Sequence, residues 1–196
     1  MYKRQDPIVR AALVHYQFET AHPFLDGNGR LGRLLITLML INDGVLHSCL
    51  FYPSFQFKKN RSEYYRQLTS VRERGTYEEW IEFFCNSLLE SAKDSVGSLK
   101  NLVDLHNRST ATITENLGRT AANGQRLLGI LEEHPIVDTA FIAAQLDIGR
   151  STASSLVKSF EELGILRPLD ESRQRYRQYG YEEYLSILRE DAEPIR

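Results

Sequence analysis

Residues 22 to 33 read His22-Pro23-Phe24-Leu25-Asp26-Gly27-Asn28-Gly29-Arg30-Leu31-Gly32-Arg33, which brings one imidazole, one carboxylate, three glycines and two arginines into a single short stretch. Gly27 and Gly29 let successive backbone N–H groups converge on one point. A helix starting there would add its unpaired donors and the positive end of its dipole, so the stretch is suited to an anion. Arg30 and Arg33, three residues apart, would share a face in the first helical turn, where the dipole disfavours each cation by ~0.3–1 kcal/mol. A polyphosphate held by their forked donors accounts for two arginines in that position. Asp26 borders the same anion hole and needs a cation between itself and the phosphates. Mg²⁺ meets that need with one protein carboxylate, phosphate oxygens and water. His22 carries the side chain best suited to general-base work near neutral pH.

The elements that must hold these groups are also readable. Asp6-Pro7 supplies an N-cap and a first-turn proline, and Ile8, Val9, Ala12, Leu13 and Tyr16 follow at helical spacing, so residues 7–20 read as a helix with His22 just past its end. Leu31, Leu34, Leu35, Leu38, Met39 and Ile41 define a second helix, apolar on most sides and stopped by Asn42-Asp43-Gly44, which is expected to lie buried in a core. Gly27-x-Gly29-x-x-Gly32 also satisfies a dinucleotide-binding pattern, but helix rather than strand precedes it and no βαβ unit surrounds it, so that reading fails on context.

His22 to Arg33 resembles the signature of the Fic family, His-Pro-Phe-x-(Asp/Glu)-Gly-Asn-Gly-Arg-x-x-Arg, at every specified position. The resemblance implies an α-helical domain that transfers AMP from ATP to a hydroxyl of a target protein and releases pyrophosphate. It makes His22 the base for a Tyr, Ser or Thr hydroxyl and Phe24 a structural anchor in the core. Asp26 becomes the Mg²⁺ ligand, and Gly27, Asn28 and Gly29 a cradle for the α- and β-phosphates. Arg30 then contacts phosphate and Arg33 pairs with the γ-phosphate, with Leu31 and Gly32 completing the nucleotide-binding stretch. Gly27-Asn28-Gly29-Arg30 is similar to the AMP-transferring loop rather than to that of the related Doc-type kinases. Tyr64 and Tyr65 resemble a tyrosine pair set against the adenosine end. Members usually carry several helices and a target-docking flap upstream, so a chain with 21 residues before His22 reads as a truncated fragment. The family's inhibitory pattern (Ser/Thr)-x-x-x-Glu-(Gly/Asn) fails at Ala111–Glu115–Asn116. Inhibition is therefore expected from an upstream helix or a partner, and a homodimer remains open.

The rest of the chain reads as mainly α. Leu50 to Phe57 is expected to be irregular or short extended packing around Pro53, followed by helix from Arg61 to Val71 and a strong helix from Tyr77 continuing toward Leu117. Residues 107–123 are rich in Ser, Thr and Asn and read as the connection, which divides the chain into a Fic domain at 1–118, a linker at 119–124 and a second domain at 125–196. The second domain reads as helix, helix, turn, helix, then two strands around Asp170-Glu171-Ser172 and a last helix, the order of a small winged-helix (α+β) domain. It resembles the C-terminal winged helix of many Fic proteins.

In such a domain the third helix and the wing would offer Arg150, Ser151, Thr152, Ser155, Lys158, Arg173, Arg175 and Arg177 to DNA or to a protein partner. Residues 120–196 hold nine Lys and Arg against thirteen Asp and Glu, a net of −4, so protein docking is favoured over DNA. Whole-chain net charge is −2, which leaves no global footprint for nucleic acid or anionic membrane. No apolar run is long enough to span a bilayer and no secretory signal opens the chain, so a cytoplasmic setting is expected, with Cys49 and Cys85 as free thiols. Two readings follow: a Mg²⁺- and ATP-dependent protein adenylyltransferase, or a winged-helix regulator or toxin–antitoxin-type partner whose Fic fold is a non-catalytic or flap-deficient nucleotide-binding module.

Overall fold

The protein is described by a computed structural model covering residues 5–47, 51–170 and 177–190. The architecture is mainly helical, and the chain divides into one compact unit reaching Gly97 and a second running from Ser98 to Glu190.

The first unit opens with α1 (Pro7–Ala21), whose N-cap Asp6 accepts from the Ile8 and Val9 N–H groups at 2.8 and 3.3 Å, with Pro7 filling the first helical position. The loop through the motif leads into α2 (Asn28–Asn42). Ile36, Thr37 and Leu40 are buried, but Leu31, Leu34 and Leu38 stay about half exposed, so α2 buries one face instead of most of its circumference. Short helix α3 (Pro53–Lys59) occupies the region expected to be irregular. Pro53 presets its first turn, and Pro53, Gln56 and Phe57 bury at the i, i+3, i+4 spacing of a helix, a period masked in the sequence by aromatic residues on its other sides. Helix α4 (Arg61–Arg74) ends on Gly75 in the left-handed region, and α5 (Tyr77–Asn116) follows.

His15 sits at the centre of this unit, 1% exposed. Its ring stacks between Phe57 at 5.8 Å and Trp80 at 6.1 Å. Its two nitrogens lie 2.9 Å from the Gly32 carbonyl and 2.9 Å from the Tyr64 hydroxyl. A carbonyl only accepts, so Nδ1–H donates to Gly32 and Nε2 accepts from the Tyr64 O–H, which fixes the neutral tautomer and joins α1, α2 and α4. Trp80 adds an indole N–H to the Ala12 carbonyl at 3.0 Å.

The second unit takes the far end of α5 into its own core through Leu105 and Ile113. The polar run at 107–116 is therefore helix that changes core, and a 3₁₀ turn at Gly118–Thr120 with the start of α6 (Ala121–Glu133) occupies the expected linker. Strand β1 (Ile136–Asp138) ends on Asp138, which caps α7 (Thr139–Leu146) by accepting from the Phe141 N–H at 2.7 Å. Helix α8 (Arg150–Glu162), β2 (Arg167–Pro168), β3 (Gln178–Gly180) and α9 (Glu182–Glu190) complete the unit. The strands form an antiparallel sheet in the order β1-β3-β2, with Val137 opposite Tyr179 and Pro168 also opposite Tyr179. The sequence carries no signal for β1, because three residues between His134-Pro135 and a helix cap show no alternation.

Two measurements test this packing. Burial lowers the His15 pKa from 6.5 to about 4, with the Gly32 bond opposing and Arg33 adding to the shift. A depressed folded pKa means that the unfolded chain takes up a proton that the folded chain refuses. The contribution is therefore full above pH 6.5 and is lost as pH falls toward 4, about 3 kcal/mol in all. Urea midpoints of wild type minus those of His15→Gln should trace that loss, and a difference flat with pH would contradict it. Separately, residues 98–190 should unfold cooperatively in isolation. A 120–190 segment, lacking Leu105, Ile113 and the Ser109–Tyr181 hydrogen bond, should be weaker by at least about 3 kcal/mol in denaturant titrations.

Candidate active site

His22 closes α1 as its C-cap in the left-handed conformation, φ 44° and ψ 55°, its N–H donating to the Phe18 carbonyl at 3.0 Å. That conformation costs a non-glycine residue on the order of 1 kcal/mol and turns the imidazole out of the helical path, where it is exposed. Five residues later Gly27, φ 81°, starts α2 from the same region, where a Cβ would be strained. No side chain caps α2, and its first intrahelical bond runs from the Leu31 N–H to the Gly27 carbonyl at 3.0 Å. The amides of the first turn are thus left without a side-chain acceptor at the positive end of a buried-face helix.

Asn28 does more than lend its backbone. It is 2% exposed, and its side-chain oxygen accepts from the Phe24 N–H at 2.9 Å while its amide donates to the Phe24 carbonyl at 2.6 Å. This two-point clamp pins the loop to the first residue of α2. Phe24 is not the expected core anchor: the residue is 52% exposed, with Phe18 as its aromatic neighbour at 6.4 Å. The polar clamp, not aromatic burial, holds the loop.

Around the loop, Asp26 stands 94% exposed at the side chain and 3.6 Å from the Arg30 guanidinium, itself 79% exposed. So open a pair contributes little to stability, and both groups stay available to a ligand. Among the described residues no cluster of three or more His, Cys, Asp or Glu side chains is placed to hold a metal ion. A lone carboxylate fits Mg²⁺ that arrives with phosphate oxygens and water, and does not fit a metal held by protein alone. Arg33 is half buried, and its Nη1 would stand 3.1 Å from a Cβ at Gly29, so it lies over the glycine-rich loop. Gly32 is buried where a Cβ would overlap Glu19 Oε1 and crowd His15 and Phe18. Leu31 faces outward.

The tyrosine pair divides. Tyr64 is 3% exposed, bonded to His15 and pushed well above the ordinary phenol range by burial, so it is a core residue and not a nucleotide contact. Tyr65 is 52% exposed with the Arg61 guanidinium 5.7 Å from its ring. On α8, Arg150, Ser151, Thr152, Ser155 and Lys158 are exposed together, Lys158 lying 3.8 Å from Glu162. Arg177 is half buried, and Arg173 and Arg175 lie outside the described residues. His15 and Glu19, neither singled out in the sequence, stand against Gly32. Their i, i+4 spacing on the last turns of α1 was the available signal.

Residues 1–40 match the family model described as Fic/DOC family. The chain is 34% identical over 99 residues to protein adenylyltransferase fic-1 of Caenorhabditis elegans, a stretch covering 50% of this chain and 18% of that protein. It is 36% identical over 80 residues to protein adenylyltransferase Fic of Drosophila grimshawi, covering 41% of this chain and 15% of that one. The matched stretches thus span less than a fifth of the length of these curated relatives. A solved Fic family protein from Desulfovibrio desulfuricans G20 is similar with a TM-score of 0.48 and 22% identity, over 91% of this chain and 50% of that chain. The complete His22–Arg33 motif falls inside residues 1–40, the part of the chain that the Fic/DOC family model matches.

Proposed function

We propose that the chain takes part in protein adenylylation, moving AMP from ATP to a Tyr, Ser or Thr hydroxyl of a target protein. The observation that carries this reading is the Asn28–Phe24 clamp, which ties a loop bearing an exposed histidine and an exposed carboxylate to the uncapped N-terminus of α2. In the reaction, His22 takes the proton of the target hydroxyl as its oxygen forms a bond to the α-phosphorus. The bond from the α-phosphorus to the bridging oxygen breaks, and pyrophosphate leaves. The amides after Gly27, with Arg30 and Arg33, hold the phosphates and stabilise the charge gathering on the leaving group. Bound Mg²⁺ would neutralise phosphate charge, with Asp26 as its protein ligand. Tyr65 is left as the tyrosine available to the adenosine end.

The second unit we read as a winged-helix-type accessory domain. The exposed stretch of α8 is the counterpart of a recognition helix, and the acidic balance of residues 120–196 favours a protein partner over DNA.

Label transfer tests the activity: the chain is incubated with lysate, Mg²⁺ and ATP labelled on the α- or the γ-phosphate. Label should reach protein from the α-phosphate only and fall by about 10²-fold or more in His22→Ala. Label from the γ-phosphate would instead indicate a kinase orientation and refute adenylylation. The backbone argument is tested by stability. His22→Gly should be more stable than His22→Ala by about 1 kcal/mol in urea, since glycine adopts the left-handed cap without strain, while both variants lose transfer.

A further inference from the structure

Glu19 lies on the last turn of α1, three residues before His22, and has no part in the reaction described above. Its Oε1 is closed off from solvent with no hydrogen-bond partner, and Arg33 Nε is closed off and unbonded in the same way. A Cβ at Gly32 would overlap that Glu19 oxygen, so the carboxylate rests on the residue next to Arg33. The other end of the guanidinium, Nη1, points over Gly29 in the anion loop. Burial raises the Glu19 carboxyl above the usual carboxylate range, and the charges of Arg33 and His22 draw it back down. Helix dipoles make the same point independently. Glu19 sits at the negative end of α1 and Arg33 near the positive end of α2, each where its own helix disfavours it, and the loop brings these ends together.

We propose that Glu19 is the positioning residue for Arg33: a small side-chain rotation lets its carboxylate, which makes no bond to Arg33 in this structure, take the Nε–H from behind and leave both Nη groups directed at the anion site. Each buried group that lacks a partner is the chemical complement of the other. Gly32 has no Cβ because the Glu19 carboxylate needs that space. The consequence is selective, because Arg33 is the group assigned to the terminal phosphate: Glu19 acts on the recognition of a triphosphate over a monophosphate. This inference rests on the nucleotide reading given above.

Calorimetric titration of the chain with Mg-ATP and with AMP tests it across Glu19→Ala, Glu19→Gln, Arg33→Ala and the Glu19→Ala/Arg33→Ala pair. Glu19→Ala should weaken Mg-ATP about tenfold and AMP by no more than about twofold, and the pair should be no weaker than Arg33→Ala alone. Glu19→Gln should stay within about threefold of wild type for Mg-ATP, since an amide oxygen still accepts the Nε–H. Equal losses for both nucleotides, additive effects in the pair, or Gln behaving as Ala would overturn the assignment. If Glu19→Ala fails to fold, the ¹⁵N spectrum decides. A slowly exchanging Arg33 Nε–H signal that shifts in Glu19→Gln supports the contact, and a rapidly exchanging signal in wild type refutes it. Wild type that binds no Mg-ATP overturns the nucleotide reading and this inference together. Wild-type discrimination retained in Glu19→Ala removes this inference alone.

Discussion

The motif loop depends on a neutral imidazole buried beneath it. His15 donates to a main-chain carbonyl of α2 and accepts from a side chain of α4, inside a shell of Phe57, Trp80 and Phe84 rings. The carbonyl it holds belongs to Gly32, between the two arginines of the motif. Packing of aromatic rings is tolerant of small rotations, whereas two opposed hydrogen bonds in a dry site fix distance and direction together. The register of α2 against α1, and hence the place of Arg30 and Arg33, follows from that pair of bonds.

Above this fixed point the loop is held by Asn28, and the division of labour has a physical basis. A loop proposed to present backbone amides to an anion cannot spend them on itself, so a side chain anchors it. That side chain also pairs the backbone of Phe24. An amide side chain offers a donor and an acceptor with the spacing of a peptide group and so pairs with both groups of Phe24 at once. Asp could accept but not donate, and a hydrophobic residue could do neither.

Much of this was legible in the sequence, and the omissions are instructive. Asp6-Pro7, the two helices flanking the motif and the glycine-rich start of α2 follow from local rules that act within one or two turns, and each stands where those rules place it. What failed depended on partners distant in the chain. Tyr64 reads as half of a tyrosine pair set against the adenosine end until His15, 49 residues earlier, supplies its acceptor. The family resemblance makes Phe24 a core anchor, yet Phe24 is half exposed and the loop is tied by a polar side chain four residues on. The apolar α2 suggested full burial, but the period of its leucines says only which faces are apolar, not how many are covered. The short β1 escaped because its pairing partner, β3, lies about forty residues downstream.

The departures from local rule gather at the site. A histidine in the left-handed region, a helix start with no side-chain cap, two cations in a first turn and an anion in a last turn all fall between Glu19 and Arg33. Outside that stretch the described non-glycine residue with positive φ is Asp147, a short polar side chain that tolerates the conformation at the end of α7. Folding alone would favour glycine at 22 and the opposite charges at both helix ends. An acidic first turn on α2 would repel the phosphate oxygens proposed to sit there. The cost is borne by the core around His15 and Trp80. A site that is locally unfavourable when empty has unmatched donors and charge already in position, and that is the condition under which an incoming polyanion gains the most from binding.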